Sequence, residues 1–357
     1  MKNPKVIIAL SGGIDSAVAA FLLQEEGFQV EGAIMNIHDP SLDLDLAGAD
    51  ACFSREKTKD LGDARRVAGR LDVPLHVVDL QKTFRKNILD FFISQYRAGR
   101  TPNPCVRCNH LIKFSALPRE LKKMGLPFDF FATGHYVRLD SDPVSGQPVL
   151  KMAVDPLKDQ SYFLSLLSRD LLATLRFPLG ALYKREVRKI ARRVFPFLTE
   201  KQESQDFISG GYQRLFTGIA RTGPILSIGG KKIGTHPGIE NFTVGQRRGI
   251  GIAADRPLYV IEKKPDRNAL IVGHKEDLLT PSLLAGDLNW LLSFPGKKPF
   301  RCQVRIRYNS PAVDARVIPV PGNIARVEFD HPQESVTPGQ ACVFYRDDMV
   351  LGGGTIQ

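Results

Sequence analysis

The sequence predicts an α/β fold with an N-terminal doubly wound domain, a small central β-rich domain and a C-terminal antiparallel β-barrel. Three observations predict it. Short apolar runs alternate with helix-period stretches through the first half, as βαβ units require. Near residue 205 the chain turns Gly-rich, with short β-like pieces. From about residue 283 apolar and polar residues alternate with period two between turn signals, as in small barrels. These shifts divide the chain into 1–204, 205–280 and 281–357.

Taken in order, Val6–Leu10 is an apolar run ending at Ser11-Gly12-Gly13, which fits a buried parallel strand. Asp15–Glu25 is a helix that Gly27 stops, and Val30–Met35 is the next strand. Lys59–Leu71 is a helix, Pro74–Leu80 a strand, Phe84–Ala98 a helix and Phe128–Thr133 a strand. Residues 141–150 form a polar hairpin or loop, and Leu164–Leu172 and Tyr183–Val194 are helices, the second strongly basic. Leu258–Glu262, Ala269–Val272, Cys302–Tyr308, Val317–Val320, Ala325–Phe329 and Ala341–Tyr345 are strands, with Pro-Gly turns at 321–322 and 338–339. In a doubly wound sheet ligands sit at the carboxyl ends of the strands. The unusual motifs fall there: SGGIDSA after the first strand, Met35-Asn36 after the second, TGHY after a later one.

Of 357 residues, 43% are apolar and 24% charged, which suits a globular chain and excludes disorder as the main state. No apolar run approaches the roughly 18 residues of a membrane span. The apolar run in MKNPKVIIAL is too short for a signal-peptide core, so a soluble cytoplasmic protein is expected. Forty-nine Lys and Arg against 38 Asp and Glu leave a net charge of +11, which suits a phosphate-rich partner, nucleic acid or nucleotide, or general solubility, and charge alone does not decide between them. Five scattered cysteines (52, 105, 108, 302 and 342) argue against a disulfide framework.

SGGIDSA (Ser11–Ala17) runs from a strand through a glycine turn into a helix. Glycines let the backbone approach an anion, and the helix N-terminus offers amides and the positive dipole end. The lysine of G-x-x-x-x-G-K-[ST] is missing, so this is not the usual P-loop; a plain βα turn is the alternative. Asp15 is placed either to bind magnesium or to cap the helix. Cys105 and Cys108 form a C-x-x-C with no second half of a zinc site, so reactive thiols are favoured, and Arg100, Arg107 and Lys113 nearby favour thiolate. The preceding TPNP suggests a shaped loop. His135, Arg247 and Arg248, and the basic stretch 184–193 each also read as ordinary hydrogen-bonded or solvated residues.

Ser11–Ser16 resembles the PP-loop of ATP pyrophosphatases, the adenine nucleotide alpha hydrolase-like fold. TPNPCVRCN (101–109), IKF (112–114), TGHY (133–136), KDQSY (158–162), ESQD (203–206), TVGQRRG (243–249) and LGGGTI (351–356) occur in one order over almost the whole chain, and together are similar to the bacterial tRNA 2-thiouridylase family. The resemblance implies an ATP-dependent tRNA-uridine 2-sulfurtransferase acting on wobble uridine 34, with Mg2+, an adenylated uridine, and sulfur brought as a cysteine persulfide by a sulfur-carrier or cysteine desulfurase relay protein. It implies that Ala9, Leu10, Ser11, Gly12, Gly13, Ile14, Asp15, Ser16, Met35 and Gly134 hold ATP and that Asn103, Pro104 and Cys105 meet the base. His135, Lys158, Asp159, Gln160, Arg307, Tyr308 and Gln340 would contact tRNA, and Cys108 would be the catalytic cysteine. It further implies catalytic, tRNA-binding and barrel roles for the three segments in order.

The sequence departs from the family at one place. A second cysteine is expected after the ESQD segment, and Phe207-Ile208-Ser209 stands there instead. Either Cys105 and Cys108 form the working pair, or Cys52, Cys105 and Cys108 ligate a [4Fe-4S] cluster with one open iron. Cys52 also reads as an ordinary small apolar residue. Competing functions are another PP-loop adenylating ligase, which leaves the C-x-x-C unexplained, and a degenerate tRNA-binding paralogue, which leaves the intact SGGIDS unexplained.

Overall fold

The computed structural model describes residues 3–38, 51–53, 57–142, 145–201, 206–208, 211–216, 220–292 and 298–357, without the side chains of 51–53, 57, 58, 206 and 207. Its elements run β1 (Lys5–Ala9), α1 (Ile14–Glu25), β2 (Gln29–Asn36), β3 (Ala51–Phe53), α2 (Lys57–Leu71), β4 (Leu75–Asp79), α3 (Gln81–Phe84), α4 (Asp90–Arg97), α5 (Pro104–Cys108) and α6 (Leu117–Lys123). Then follow β5 (Phe130–Ala132), β6 (Val137–Ser141), β7 (Pro148–Met152), β8 (Leu175–Arg176), α7 (Lys184–Val194) and β9 (Asp206–Ile208). β10 (Gly223–Ser227), β11 (Lys232–His236), β12 (Tyr259–Lys264) and β13 (Ala269–Gly273) precede β14 (Leu279–Trp290), β15 (Phe300–Arg305), β16 (Val313–Val320), β17 (Ile324–Glu334), β18 (Ala341–Arg346) and β19 (Met349–Ile356). No helix among the described residues is long and apolar enough to cross a membrane.

The chain forms two compact units. The first comprises Met1–Asn87, Cys105–Gly211 and Asp348–Val350; the second comprises Ile88–Pro104, Tyr212–Asp347 and Leu351–Gln357. In the first, the described strands make a parallel sheet in the order β4-β2-β1-β5-β8. β1 is central, and Val6, Ile7 and Ile8 are wholly buried, each worth about 1.5–3 kcal/mol of hydrophobic stabilisation. α1 turns Ala17, Val18, Ala20 and Leu23 into the same core as Val187 and Ala191 of α7. Gly27, at φ +86°, ends α1 as predicted, its amide bonding back to the Gln24 carbonyl at 3.0 Å.

Two expectations need correction. Leu164–Leu172 is not one helix; 3-10 turns at Ser161–Leu164 and Arg169–Thr174 replace it, and the Ser165 hydroxyl bonds the Tyr162 carbonyl at 3.0 Å where a helix would have continued. The TPNP loop is shorter than expected, because Pro104 opens α5. A proline at the first helical position forfeits no helical hydrogen bond.

In the second unit β11-β10-β13-β12 form a small sheet over Ile225, Val260, Leu270 and Val272. Among the described strands β14-β17-β16-β15-β18-β19 follow in order, and β14 pairs β19 to close a barrel around Val304, Val317, Val327 and Phe344.

Candidate nucleotide and thiol site

β1 delivers the chain into Ser11-Gly12-Gly13, and α1 begins at Ile14. Gly12 sits at φ +76°, and a Cβ there would lie 2.5 Å from the Asp60 carbonyl, so only glycine makes this turn without strain. The Ser16 hydroxyl donates to the Gly13 carbonyl at 3.1 Å and accepts the Ser11 amide at 3.2 Å, which locks the loop. Gly13 caps α1 with no side chain, so no side-chain oxygen occupies the helix's first amides.

Beside the loop lies a cavity of about 300 Å³ in the first unit. Ala9, Leu10, Ser11, Gly13, Ile14, Asp15, Ser16, Met35 and Gly134 line it, with His135 and Gln160. Gly12 shapes the turn without lining the cavity. A Cβ on Gly134 would stand 2.7 Å from the Asp15 carbonyl carbon, so glycine lets the TGHY loop lie against the start of α1. Sequence reasoning missed Asp60 and Lys201, which also line the cavity, and did not place Lys113 and Thr133 there.

The charges in this region are paired. Lys184, almost wholly buried, donates to both Asp15 carboxylate oxygens at 2.6 and 2.8 Å, and the Tyr136 hydroxyl donates to Asp15 at 2.8 Å. Lys201 reaches Asp60 at 2.9 Å and Asp63 at 2.6 Å; burial opposes its charge, but these carboxylates raise its pKa overall. His135 is buried, and its pKa falls well below the usual imidazole value through desolvation and the nearby Lys113 ammonium. Its ring is therefore neutral: Nε2 accepts from Lys113 at 3.4 Å, which assigns the Nδ1 proton to the 2.7 Å bond with Thr133 Oγ1.

Cys105 and Cys108 lie one turn apart on α5, both half-buried. α5 continues without a break through a π-wound stretch, Asn109–Ala116, into α6. Lys113, on this same helical run, lines the cavity, whereas neither cysteine does. Buried Val106, Ile112 and Phe114 seat the run, Arg107 Nε donates to the Asn87 carbonyl at 2.7 Å, and Asn109 donates to the Phe163 carbonyl at 3.3 Å. The Cys52 side chain lies outside the described residues, as do Glu203, Ser204 and Gln205. The backbone of β3 pairs in parallel with β9, Ala51 opposite Asp206 and Phe53 opposite Ile208, which puts residue 52 in register with Phe207. Among the described residues no three His, Cys, Asp or Glu side chains gather as a metal site.

Lys158 is half-buried in a loop that two carboxylates shape. Asp155 accepts the Leu157 and Lys184 amides at 3.1 and 2.9 Å, and buried Asp159 accepts the Ala153 and Ser161 amides at 3.0 and 3.2 Å. Gln160 accepts the Tyr136 amide at 2.9 Å.

In the second unit Asn103 and Pro104 are half-buried, and the chain just before them is held by the barrel turn. Gln340 donates to the Thr101 carbonyl at 2.8 Å, and the Thr101 amide donates to the Pro338 carbonyl at 2.8 Å. Arg307 ties the Val244 carbonyl at 2.8 Å to the Thr337 hydroxyl at 2.6 Å, and Tyr308 beside it is half-buried. Cys302 and Cys342 are buried in the barrel; burial pushes the Cys302 thiol up to about 12 and raises Cys342 as well.

Comparison with known proteins matches residues 4–209 to the tRNA methyl transferase HUP domain, 217–274 to the tRNA methyl transferase PRC-barrel domain and 280–356 to the aminomethyltransferase beta-barrel domain. The tRNA-specific 2-thiouridylase MnmA of Endomicrobium trichonymphae is 42% identical over 355 residues, 99% of this chain and 98% of that protein. The Magnetococcus marinus protein of the same name is 43% identical over 359 residues, 99% of this chain and 98% of its own. That of Moorella thermoacetica is 42% identical over 360 residues, 98% of this chain and 99% of its own.

Proposed function

The chain belongs to the tRNA-specific 2-thiouridylase family, and from that premise we propose that it uses ATP to exchange the C2 oxygen of uridine 34 in tRNA for sulfur. The family models speak of methyl transfer and the curated relatives of thiolation. The residues favour thiolation, because a glycine turn at a nucleotide-sized cavity and a C-x-x-C answer to adenylation and sulfur delivery. The observation that carries this reading is the unbroken helical run that bears Cys105 and Cys108 at its start and Lys113 in the cavity wall.

ATP fits the cavity: the Ser11–Ser16 turn and the open start of α1 receive the pyrophosphate, and Met35 and Gly134 flank the nucleotide. Both carboxylates that line the cavity, Asp15 and Asp60, are matched by lysines, so Mg2+ enters with the phosphates rather than on an open protein carboxylate. The uridine C2 oxygen attacks the α-phosphorus and pyrophosphate leaves. A sulfur nucleophile then attacks C2 and AMP leaves. Cys108 is the thiol that delivers sulfur, with Asn103, Pro104 and Cys105 beside the base. His135, Lys158, Asp159, Gln160, Arg307, Tyr308 and Gln340 form the tRNA-facing set, Asp159 by shaping its loop. The segments 1–204, 205–280 and 281–357 then divide the work into chemistry, central tRNA contact and barrel.

Sulfur reaches Cys108 as a persulfide from a relay protein; as AMP leaves, the outer persulfide sulfur bonds to C2, the Cys105 thiolate then attacks Cys108 Sγ and the S–S electron pair leaves with the thiocarbonyl, and an external thiol reduces the resulting Cys105–Cys108 disulfide. One observation favours a role for Cys52: its strand lies in register with β9, the segment that follows the ESQD motif. A [4Fe-4S] cluster on Cys52, Cys105 and Cys108 is the second reading, and it would supply an open iron that takes up sulfide. The Cys52 side chain lies outside the described residues, so no step is assigned to the cluster.

Nucleoside mass spectrometry of tRNA from a strain lacking the protein tests the function; 2-thiouridine 34 at normal levels rejects it. Iron and sulfide analysis of anaerobically purified protein separates the sulfur routes: an iron-free, fully active protein rejects the cluster, and stoichiometric iron lost in Cys52→Ser rejects the plain persulfide pair.

A further inference from the structure

Among the described residues Lys113 and Lys201 line the nucleotide cavity and Lys184 holds the Asp15 of its wall, and two of these three lysines are committed to carboxylates. Lys184 is bound to both oxygens of Asp15, and Lys201 to Asp60 and Asp63. Their charges hold the loop and α2 in place and are already balanced. Lys113 differs. It lines the same cavity, and among the described residues its ammonium faces an imidazole 3.4 Å away. That imidazole belongs to buried His135, whose Nδ1 side is fixed by Thr133 at 2.7 Å and which packs on Phe114 at 5.7 Å between ring centroids. A neutral acceptor orients an ammonium without cancelling its charge, so among the described residues Lys113 is an aimed cation in the cavity wall with no carboxylate against it.

Resting on the adenylation reading above, we propose that Lys113 is a catalytic residue of the first chemical step, an electrostatic clamp on the α-phosphoryl group. In that step the uridine C2 oxygen forms a bond to the α-phosphorus. The bond from that phosphorus to the oxygen bridging to the β-phosphate breaks, and pyrophosphate leaves with the electron pair. The ring gives its N3 proton to solvent. Negative charge gathers on the α-phosphoryl and leaving oxygens, where a fixed cation in a partly dry site acts most strongly. Lys113 keeps its proton throughout and exchanges no electrons. His135 is its positioning residue. The cation that the lysine of a usual P-loop provides is thereby supplied from another element, the helical run that carries the thiols.

The test measures tRNA-dependent pyrophosphate release by the full chain with ATP and an unmodified tRNA transcript. Lys113→Met is expected to lower kcat about 100-fold, with the KM for ATP and tRNA binding within about threefold of wild type. Lys113→Arg keeps a cation and is expected to retain at least about a tenth of the rate. Lys113→Met within about threefold of wild type in kcat overturns the proposal. So does Lys113→Arg as inactive as Lys113→Met, because position rather than charge would then matter. Loss of ATP binding or a collapsed melting transition in both variants assigns Lys113 a structural role and overturns it equally. A wild-type protein that binds tRNA and ATP yet releases no pyrophosphate rejects the adenylation reading itself, a result separate from any of these.

Discussion

Cysteines occur in two very different parts of this molecule. Cys105 and Cys108 stand half-buried at the start of a helical run that reaches the nucleotide cavity. Cys302 and Cys342 lie inside the barrel among Val304, Ala315 and Phe344, their thiols pushed away from the reactive form by desolvation. The side chain is the same and its chemistry is set by place: partial exposure at a helix start leaves a thiol open to reagents, and an apolar interior makes a small hydrophobe.

The largest expected effect breaks or keeps that contrast directly. Cys108→Ser should reduce 2-thiouridine formation by about 1,000-fold or more, with tRNA binding unchanged, whereas Cys342→Ala should leave the rate within about twofold. Rates measured on one tRNA transcript check both, and equal losses would erase the distinction. Next, iodoacetamide should label Cys105 and Cys108 in the native protein about 100-fold faster than Cys302 and Cys342, whose reaction waits on opening of the barrel. Mass spectrometry of labelled peptides reads the ratio, which should vanish in denaturant.

The contrast is sharpened by a bond within the second unit, just ahead of the thiols in sequence. Gln340→Ala removes the bond to the Thr101 carbonyl, four residues before Cys105. It should slow thiolation roughly 3–10-fold while leaving ATP binding intact; a comparable loss of ATP affinity would show that the bond serves another purpose. Smallest is the pH effect. His135 titrates lower in the folded than in the unfolded state, so the unfolded chain binds the extra proton. Stability from this group is therefore complete above the unfolded imidazole value of about 6.5 and lost as pH falls below it. Chemical denaturation of wild type and His135→Asn between pH 7 and 5 should show the steeper decline in the wild type.

Much of this was legible in the sequence because it is local. The β1 turn, the glycine that stops α1 and the alternating barrel strands are each written in a handful of adjacent residues, and the structure has them where period and turn chemistry put them. Of the residues expected to hold ATP, Ala9–Ser11 and Gly13–Ser16 converge on one cavity with Met35 and Gly134, and Gly12 shapes the turn beside it. What sequence reasoning missed is non-local. Lys201 carries no motif, and its pairing with Asp60 spans 141 positions. Asp15 read equally as magnesium ligand or cap; the cap position is Gly13, with no side-chain cap bond, and the lysine that pairs with Asp15, Lys184, lies 169 residues away. α5 was obscured by its own prolines, since the rule that disfavours helix before Pro104 also permits a helix to begin on it.

The chain crosses between its two compact units at residues 87–88, 104–105, 211–212, 347–348 and 350–351. No single cut therefore yields two self-sufficient pieces: severing the barrel also removes the grip on Thr101, and discarding the first half takes the thiols with it. Such an interlaced chain is poorly suited to shuffling its parts among other proteins, and a gene fragment that encodes either unit alone should inherit neither its stability nor its chemistry.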